Sequence, residues 1–238
     1  MSAETPGSAN QSAKIAENLQ AVQQQIARYC QQYQRQASEV RLLAVSKTRP
    51  AGDIRAAFAA GQDCFGENYL QEALQKIQSL QDLPIEWHYI GAIQSNKTRE
   101  LAAHFDWVHS VDRLKIARRL SEQRPAEMNQ LNICVQVNIS DEASKSGASL
   151  EQLDALVEEI IQLPGLRLRG LMAIPAQADT LEAQRAIFAQ MREALQHLQQ
   201  RYPTLDTLSM GMSNDIEAAI AEGSTLLRVG TAIFGARN

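Results

Sequence analysis

Apolar residues recur along this chain at two different periods. Between Ala13 and Gln36 they fall at Ile15, Leu19, Val22, Ile26 and Tyr29. Spacings of three and four put them on one stripe of a long amphipathic helix, which precedes the first strand and packs outside the main body. From Arg41 onward short β-branched runs alternate with helical ones, each pair taking roughly 20 to 30 residues, the rhythm of repeated βα units. The pattern predicts strands at Leu42–Ser46, Cys64–Gly66, Trp87–Gly91, Trp107–Val111, Ile133–Ile139, Leu166–Ile174, Thr207–Gly211 and Leu226–Phe234. Helices are predicted between them at Ala51–Ala60, Tyr69–Leu80, Asn96–His104, Arg113–Gln123, Leu150–Leu163, Leu181–Tyr202 and Asp215–Glu222. Eight consecutive steps of this kind, with no GxGxxG after the first strand, favour a closed (β/α)8 TIM-type barrel over an open doubly wound sheet. No Pro-, Gly- or Ser-rich linker and no internal repeat interrupts the pattern. The expected organisation is therefore a flexible start over residues 1–12 and a single α/β domain over residues 13–238, with residues 13–36 as its helical arm.

Composition narrows the function classes. At 238 residues and 45% hydrophobic the chain could bury one large core or two small ones, and the count of βα steps selects one. With 23 Lys and Arg against 27 Asp and Glu, the net charge is -4, so no basic excess is available to neutralise a nucleic-acid backbone. The longest stretch without a charge, Met128–Ser140, has 13 residues, short of the ~18 that would suggest a membrane span. Residues 1–11 contain no apolar h-region, so nothing marks the chain for export. Cys30, Cys64 and Cys134 are odd in number and form no CxxC pair, which fits reduced thiols in a cytoplasm.

Functional groups of a parallel barrel sit at the carboxyl ends of its strands. The first strand closes Val45-Ser46-Lys47-Thr48-Arg49-Pro50, placing Lys47 at the barrel mouth. Partial burial there would make its amine a nucleophile toward carbonyls; the alternative is a lysine that snorkels to solvent. The seventh strand closes Ser209-Met210-Gly211-Met212-Ser213, and Asn214 with Glu217 three residues on reads as a capping box opening a helix. On the eighth, Gly230 allows close approach to the backbone and Thr231 adds a hydroxyl. Loops after strands seven and eight are the recurrent phosphate site of such barrels, although caps and glycines are common anywhere. An amine facing a phosphate cup suits a ligand with a carbonyl and a phosphate: pyridoxal 5'-phosphate (PLP), or a sugar phosphate on a Schiff-base aldolase. Arg228, beside the cup, could donate to a pyridine nitrogen. An aldolase would also want an acid/base carboxylate or a second lysine near the amine, and only Glu67 closes a strand with a carboxylate.

Six segments together, Leu43-Ala44-Val45-Ser46-Lys47-Thr48, Phe65-Gly66-Glu67-Asn68-Tyr69, the stretch from Trp87 to Lys97, Arg169-Gly170-Leu171-Met172, Ser209-Met210-Gly211-Met212-Ser213 and the stretch from Arg228 to Gly235, resemble the YggS/PROSC family of pyridoxal-phosphate homeostasis proteins. The resemblance runs in order over residues 13–238. Tyr89 stands where the family usually has Phe or Met, and Ala92 where it commonly has Pro. The resemblance implies a barrel like the N-terminal domain of alanine racemase, with PLP held as a Schiff base on Lys47. It further implies a pyridine-nitrogen contact from Arg228, phosphate contacts from Ser209, Ser213, Gly230 and Thr231, and Asn68 near the ring. His88 and Met172 are pocket-wall candidates; for His88 a hydrogen-bonded core histidine is the alternative. His104, His109 and His197 show no metal-ligand or triad spacing, so no metal is expected. Lys145, in the polar loop after strand five, is either a loading lysine or a solvated one.

The expected function is a reversible carrier or buffer of PLP in vitamin B6 homeostasis, without substrate turnover. An arginine on the ring nitrogen keeps that nitrogen unprotonated and weakens carbanion stabilisation, and the chain stops four residues after Phe234, leaving no second domain to supply an opposing base. The alternative is a PLP-dependent amino-acid racemase or a Schiff-base aldolase on the same lysine. Expected partners are PLP and the apo-forms of PLP-dependent enzymes, with no nucleic acid and no membrane, for a monomeric cytoplasmic chain.

Overall fold

The computed structural model describes residues 6–139 and 146–236. Eight parallel strands close into a barrel in sequence order: β1 Arg41–Val45, β2 Cys64–Glu67, β3 Glu86–Tyr89, β4 Trp107–Val111, β5 Leu131–Gln136, β6 Leu166–Met172, β7 Thr207–Ser209 and β8 Leu226–Val229. Closure is direct, since Ala44 on β1 pairs with Phe65 on one side and with Val229 on the other. Around the barrel run α1 Pro6–Gln32, α2 Ala51–Ala59, α3 Leu70–Ser79, α4 Thr98–His104, α5 Leu114–Gln123, α6 Leu150–Ile160, α7 Leu181–Gln199, α8 Ile216–Ala221 and α9 Thr231–Phe234. No helix among the described residues is long and apolar enough to cross a membrane.

Three expectations shift. Helix α1 begins at Pro6, inside the segment read as flexible. The arm also does not stand apart. Ile15, Leu19, Val22, Ile26 and Cys30 are all buried, Asn18 donates to the Ile233 carbonyl at 2.9 Å, and Tyr33 donates to Glu217 at 3.0 Å. The third shift explains the second: β8 stops at Val229, and residues 231–234, read as strand, form the four-residue α9. An unbroken apolar run does not distinguish strand from helix by period. So short a helix cannot cover the seam between β8 and β1, and α1 fills that place in the ring, packed against α2, α8 and α9.

Two kinds of interior result. The layer between sheet and helices is a continuous apolar core that includes Phe65, Phe105, Leu120 and Phe188. The barrel lumen is divided: Leu43, Cys64, Ile90 and Leu226 fill one side, and Trp107, Cys134 and Met172 pack on the other. The Cys64 and Cys134 thiols are pushed up to about 12 by burial, which leaves them protonated and unreactive.

Candidate functional site

A cavity of about 720 Å³ opens at the carboxyl ends of the strands. Lys47, Asn68, Ser213, Arg228, Gly230 and Thr231 line it, together with Val45, Ile90, Phe188 and Asp215. Six of the nine residues singled out from sequence thus share one space. Ser209, His88 and Met172 do not line it. Ser209 is fully buried beneath Arg228, whose Nη1 donates to its Oγ at 2.8 Å and to its carbonyl. His88 lies deep in the lumen, its Nδ1 2.8 Å from Nε2 of His109 and its Nε2 2.6 Å from Oε1 of Glu86. Met172 packs on Trp107 and Cys134. For these three the strand was read correctly, but their side chains enter the barrel below the mouth. Lys145 lies outside the described residues.

Lys47 follows β1 in a tight turn that the chain must be held in. Thr48 has φ 63°, a left-handed conformation that costs a β-branched residue about 1–3 kcal/mol. Its N–H donates to Glu72 Oε1 at 2.6 Å. Lys76, one helical turn along α3, donates to the Ser46 carbonyl at 2.8 Å, to Glu67 at 2.7 Å and to Glu72. Ser46 Oγ donates to Glu67 Oε1 at 2.6 Å. Burial pushes the Glu67 carboxyl up, and the charge of Lys76 pulls the other way. The turn bearing Lys47 is therefore tied down from α3. Sequence reading missed Glu72 and Lys76, yet Lys76 falls three residues after Ala73 on the buried face of an amphipathic helix, a position where a lysine needs a partner.

Glu67 is not the acid or base an aldolase would want at the amine. It is committed to Ser46 and Lys76 and is absent from the cavity lining.

Arg228 is fixed by three hydrogen bonds from two of its guanidinium nitrogens. Beyond the two bonds to Ser209, Nη2 donates to the Ala173 carbonyl at 2.8 Å. Of its five N–H groups this leaves two without a partner among the described residues, on a residue that lines the cavity. Asn68 adds a side-chain oxygen that is buried without a partner among the described residues. Gly91 is required behind it, because a Cβ there would lie 2.2 Å from the Asn68 carbonyl. At Gly230 a Cβ would lie 3.0 Å from the Val45 carbonyl, so the glycine serves β8–β1 packing as well as approach from the cavity.

The loop after β7 differs from the expected capping box. The N-cap of α8 is Asp215, not Asn214; its Oδ1 accepts from the Met212 N–H, while Glu217 accepts from Gln32 and Tyr33 of α1. Burial pushes the Asp215 carboxyl up, against its bond from Met212 and the charge of Arg228. Residues 174–179, after β6, also form a wall of the cavity. They close a strand at the mouth end, and that position was their legible signal.

A barrel with a strand-end lysine opposite a buried arginine defines a class, and the family model for the alanine racemase N-terminal domain matches residues 17–238. Within it the chain belongs to the family of pyridoxal phosphate homeostasis proteins. It is 61% identical over 224 residues to the protein of that name from Pseudomonas aeruginosa, covering 94% of this chain and 96% of the relative. The Escherichia coli protein of the same name is 54% identical over 227 residues, with 94% and 97% covered. The structure of PipY from Synechococcus elongatus with PLP bound superposes with a TM-score of 0.81 at 41% identity, over 93% of this chain and all of that one (100%). Alanine racemase from Corynebacterium glutamicum shares the fold, with a TM-score of 0.73 at 17% identity, over 95% of this chain and 62% of that one.

Proposed function

We propose that this chain binds pyridoxal 5'-phosphate reversibly on Lys47 and buffers or delivers it, without turning over a substrate. The observation that carries the reading is the cavity itself, which sets the Lys47 amine, the unused N–H groups of Arg228 and the hydroxyls of Ser213 and Thr231 around one space. These residues fit the cofactor: an amine for its aldehyde, a cationic donor for its ring nitrogen, hydroxyl donors and the Gly230–Thr231 backbone for its phosphate, and the unpartnered Asn68 oxygen for a ring substituent. Bound PLP supplies an electron sink for carbanions next to its imine carbon.

Lys47 condenses with the aldehyde, losing one water, and addition of water reverses the bond, so binding and release need no further reactant. Arg228 holds its position as a permanent donor and so keeps the ring nitrogen unprotonated, which weakens the sink. The cavity lining contains no Tyr, His or Cys among the described residues. Of the two carboxylates in the lining, Asp215 is engaged by Met212, and Asp179 sits on the loop after β6. A capture site with no tyrosine, histidine or cysteine among its described lining residues to exchange an α-proton suits a carrier better than a racemase. The relatives' name supports the homeostatic role, and apo-forms of PLP-dependent enzymes in the cytoplasm are the natural recipients for a monomeric carrier.

Titration with PLP should produce a visible absorption band, and borohydride should fix the cofactor to Lys47, located by peptide mass spectrometry. Lys47→Ala should lose the band. A wild-type protein that stays colourless would overturn the reading. Exchange of amino-acid α-protons into deuterated water, abolished by Lys47→Ala, would replace it with the racemase.

A further inference from the structure

The lumen holds a hydrogen-bonded chain that begins, half-exposed, at the amino-terminal rim of the barrel and is buried from His88 to its end at Arg228. Arg41 Nη1 donates to Glu86 Oε1 at 2.6 Å. From Glu86 the chain runs through His88 and His109 at 2.6 and 2.8 Å, then from His109 Nδ1 to Ser209 Oγ at 2.8 Å, and on to Arg228 Nη1 at 2.8 Å. His88, His109 and Ser209 are fully buried, and the His88 ring stacks on Trp107 with centroids 5.3 Å apart.

Only one proton arrangement satisfies every link when both rings are neutral. Arg228 can only donate, so Ser209 Oγ accepts from it. Glu86, ionised, can only accept, so His88 carries its proton on Nε2 and accepts at Nδ1. His109 must then donate from Nε2, accept at Nδ1, and receive the Ser209 hydroxyl proton. Every N–H and O–H therefore points from Arg228 toward Glu86. The charges around the chain agree with this. Burial holds both imidazoles below their ordinary range, His109 the more so with His88 and Arg228 beside it. For Glu86 burial acts upward, but the hydrogen bond from His88 and the charge and hydrogen bond of Arg41 outweigh it and keep the carboxyl low. Asp106, which accepts from the Trp87 N–H at 2.8 Å, also faces His88.

We propose that Glu86, His88, His109 and Ser209 form a polarised relay that locks the Arg228 guanidinium in register for the ring nitrogen of the cofactor, with His109 as its central positioning residue. The inference rests on the PLP reading of the cavity and goes beyond it, since Glu86, His88 and His109 do not line the cavity. A buried polar chain carries a desolvation penalty that an all-aliphatic lumen, such as the Leu43 and Ile90 side, does not. What the chain adds is direction: Ser209 Oγ, its own proton committed to His109, presents only lone pairs to Nη1, and the guanidinium loses its freedom to rotate.

Two measurements test this. In the protein without cofactor at pH 7, nitrogen NMR of the histidine rings, assigned with His88→Gln and His109→Gln variants, should find His88 and His109 both neutral and protonated on Nε2. An Nδ1–H tautomer or a charged ring at either position overturns the relay whether or not PLP binds. PLP titrations then read its effect. His109→Phe should weaken binding about tenfold and shift the visible band, His109→Gln should recover part of both, and His109→Phe should add nothing in an Arg228→Met background, since the relay acts only through that residue. If the two losses add, or if folded His109→Phe binds and absorbs as wild type, the proposal fails. Should the Phe variant not fold, Glu86→Leu, at the far end of the chain, replaces it in the same cycle. A wild type that does not bind PLP at all would defeat the functional reading, and the NMR result would still decide the relay.

Discussion

Two polar clusters each hold one side chain of the cavity lining, and they do so by opposite means. Behind Lys47, the knot of Ser46, Glu67, Glu72 and Lys76 uses opposite charges drawn from 31 consecutive residues, 46 to 76, and holds a strained turn at Thr48. Beneath Arg228, the relay of Glu86, His88, His109 and Ser209 uses neutral rings and a hydroxyl spread over 124 positions, 86 to 209. Charge tolerates imperfect direction, and Glu67 Oε2 has no partner among the described residues. A neutral chain works only if every donor meets an acceptor. The difference teaches that a strand-end amine can be placed by force against backbone strain, whereas a planar guanidinium needs its partners oriented.

Breaking the knot should have the largest effect. Lys76→Met leaves Glu67 buried without its cation and should cost about 3–5 kcal/mol in urea denaturation, with weaker PLP capture because the Lys47 turn loosens. The relay should show itself in pH dependence instead. His88 and His109 have folded pKa values below the ordinary 6.5, so the unfolded chain takes up protons that the folded one refuses. Their contribution to stability is complete above pH 6.5 and is lost as pH falls toward the folded values, at about 1.4 kcal/mol per pH unit for each ring. Glu67, with a raised pKa, works in the opposite sense, its contribution lost as pH rises from 4.5. Comparing wild type with His109→Gln between pH 7 and 5 isolates one ring, and an unchanged slope would remove the relay's neutral histidine.

Thr48→Gly should stabilise the fold by about 1 kcal/mol by releasing left-handed strain. A loss of stability in the same denaturation measurement would mean that the turn is not strained and the knot has nothing to hold. As a control outside both clusters, the exposed pair Arg55–Asp82, bonded at 2.7 and 2.8 Å, should be removable by Arg55→Ala with no measurable change in either stability or PLP affinity.

Lys47 was legible because a lysine ending an apolar run, ahead of a proline, stands out at the mouth of a barrel. Arg228, Gly230 and Thr231 were legible by their place on the eighth step and by resemblance. Ser209, a phosphate contact by resemblance, and His88, a pocket-wall or core histidine, were not legible in depth: alternation along a strand says which face a side chain takes, not how far below the mouth it enters. His109 carried no local signal at all. It lies 21 residues from His88 and 100 from Ser209, and the three meet because β3, β4 and β7 look into one lumen.

What the amino-acid order determined by itself is the succession of elements, since the two hydrophobic periods are local properties of the chain. It also determined the candidate amine, a strand-end residue whose neighbours are close in sequence. Closure decided the rest. When β8 pairs with β1, α1 takes the ring position that α9 is too short to fill. The lumen then sets Arg228 against Ser209 of β7 and the Ala173 carbonyl, and Ser209 against His109 of β4, contacts fixed by barrel register and diameter, quantities that belong to the whole sheet and to no segment of it.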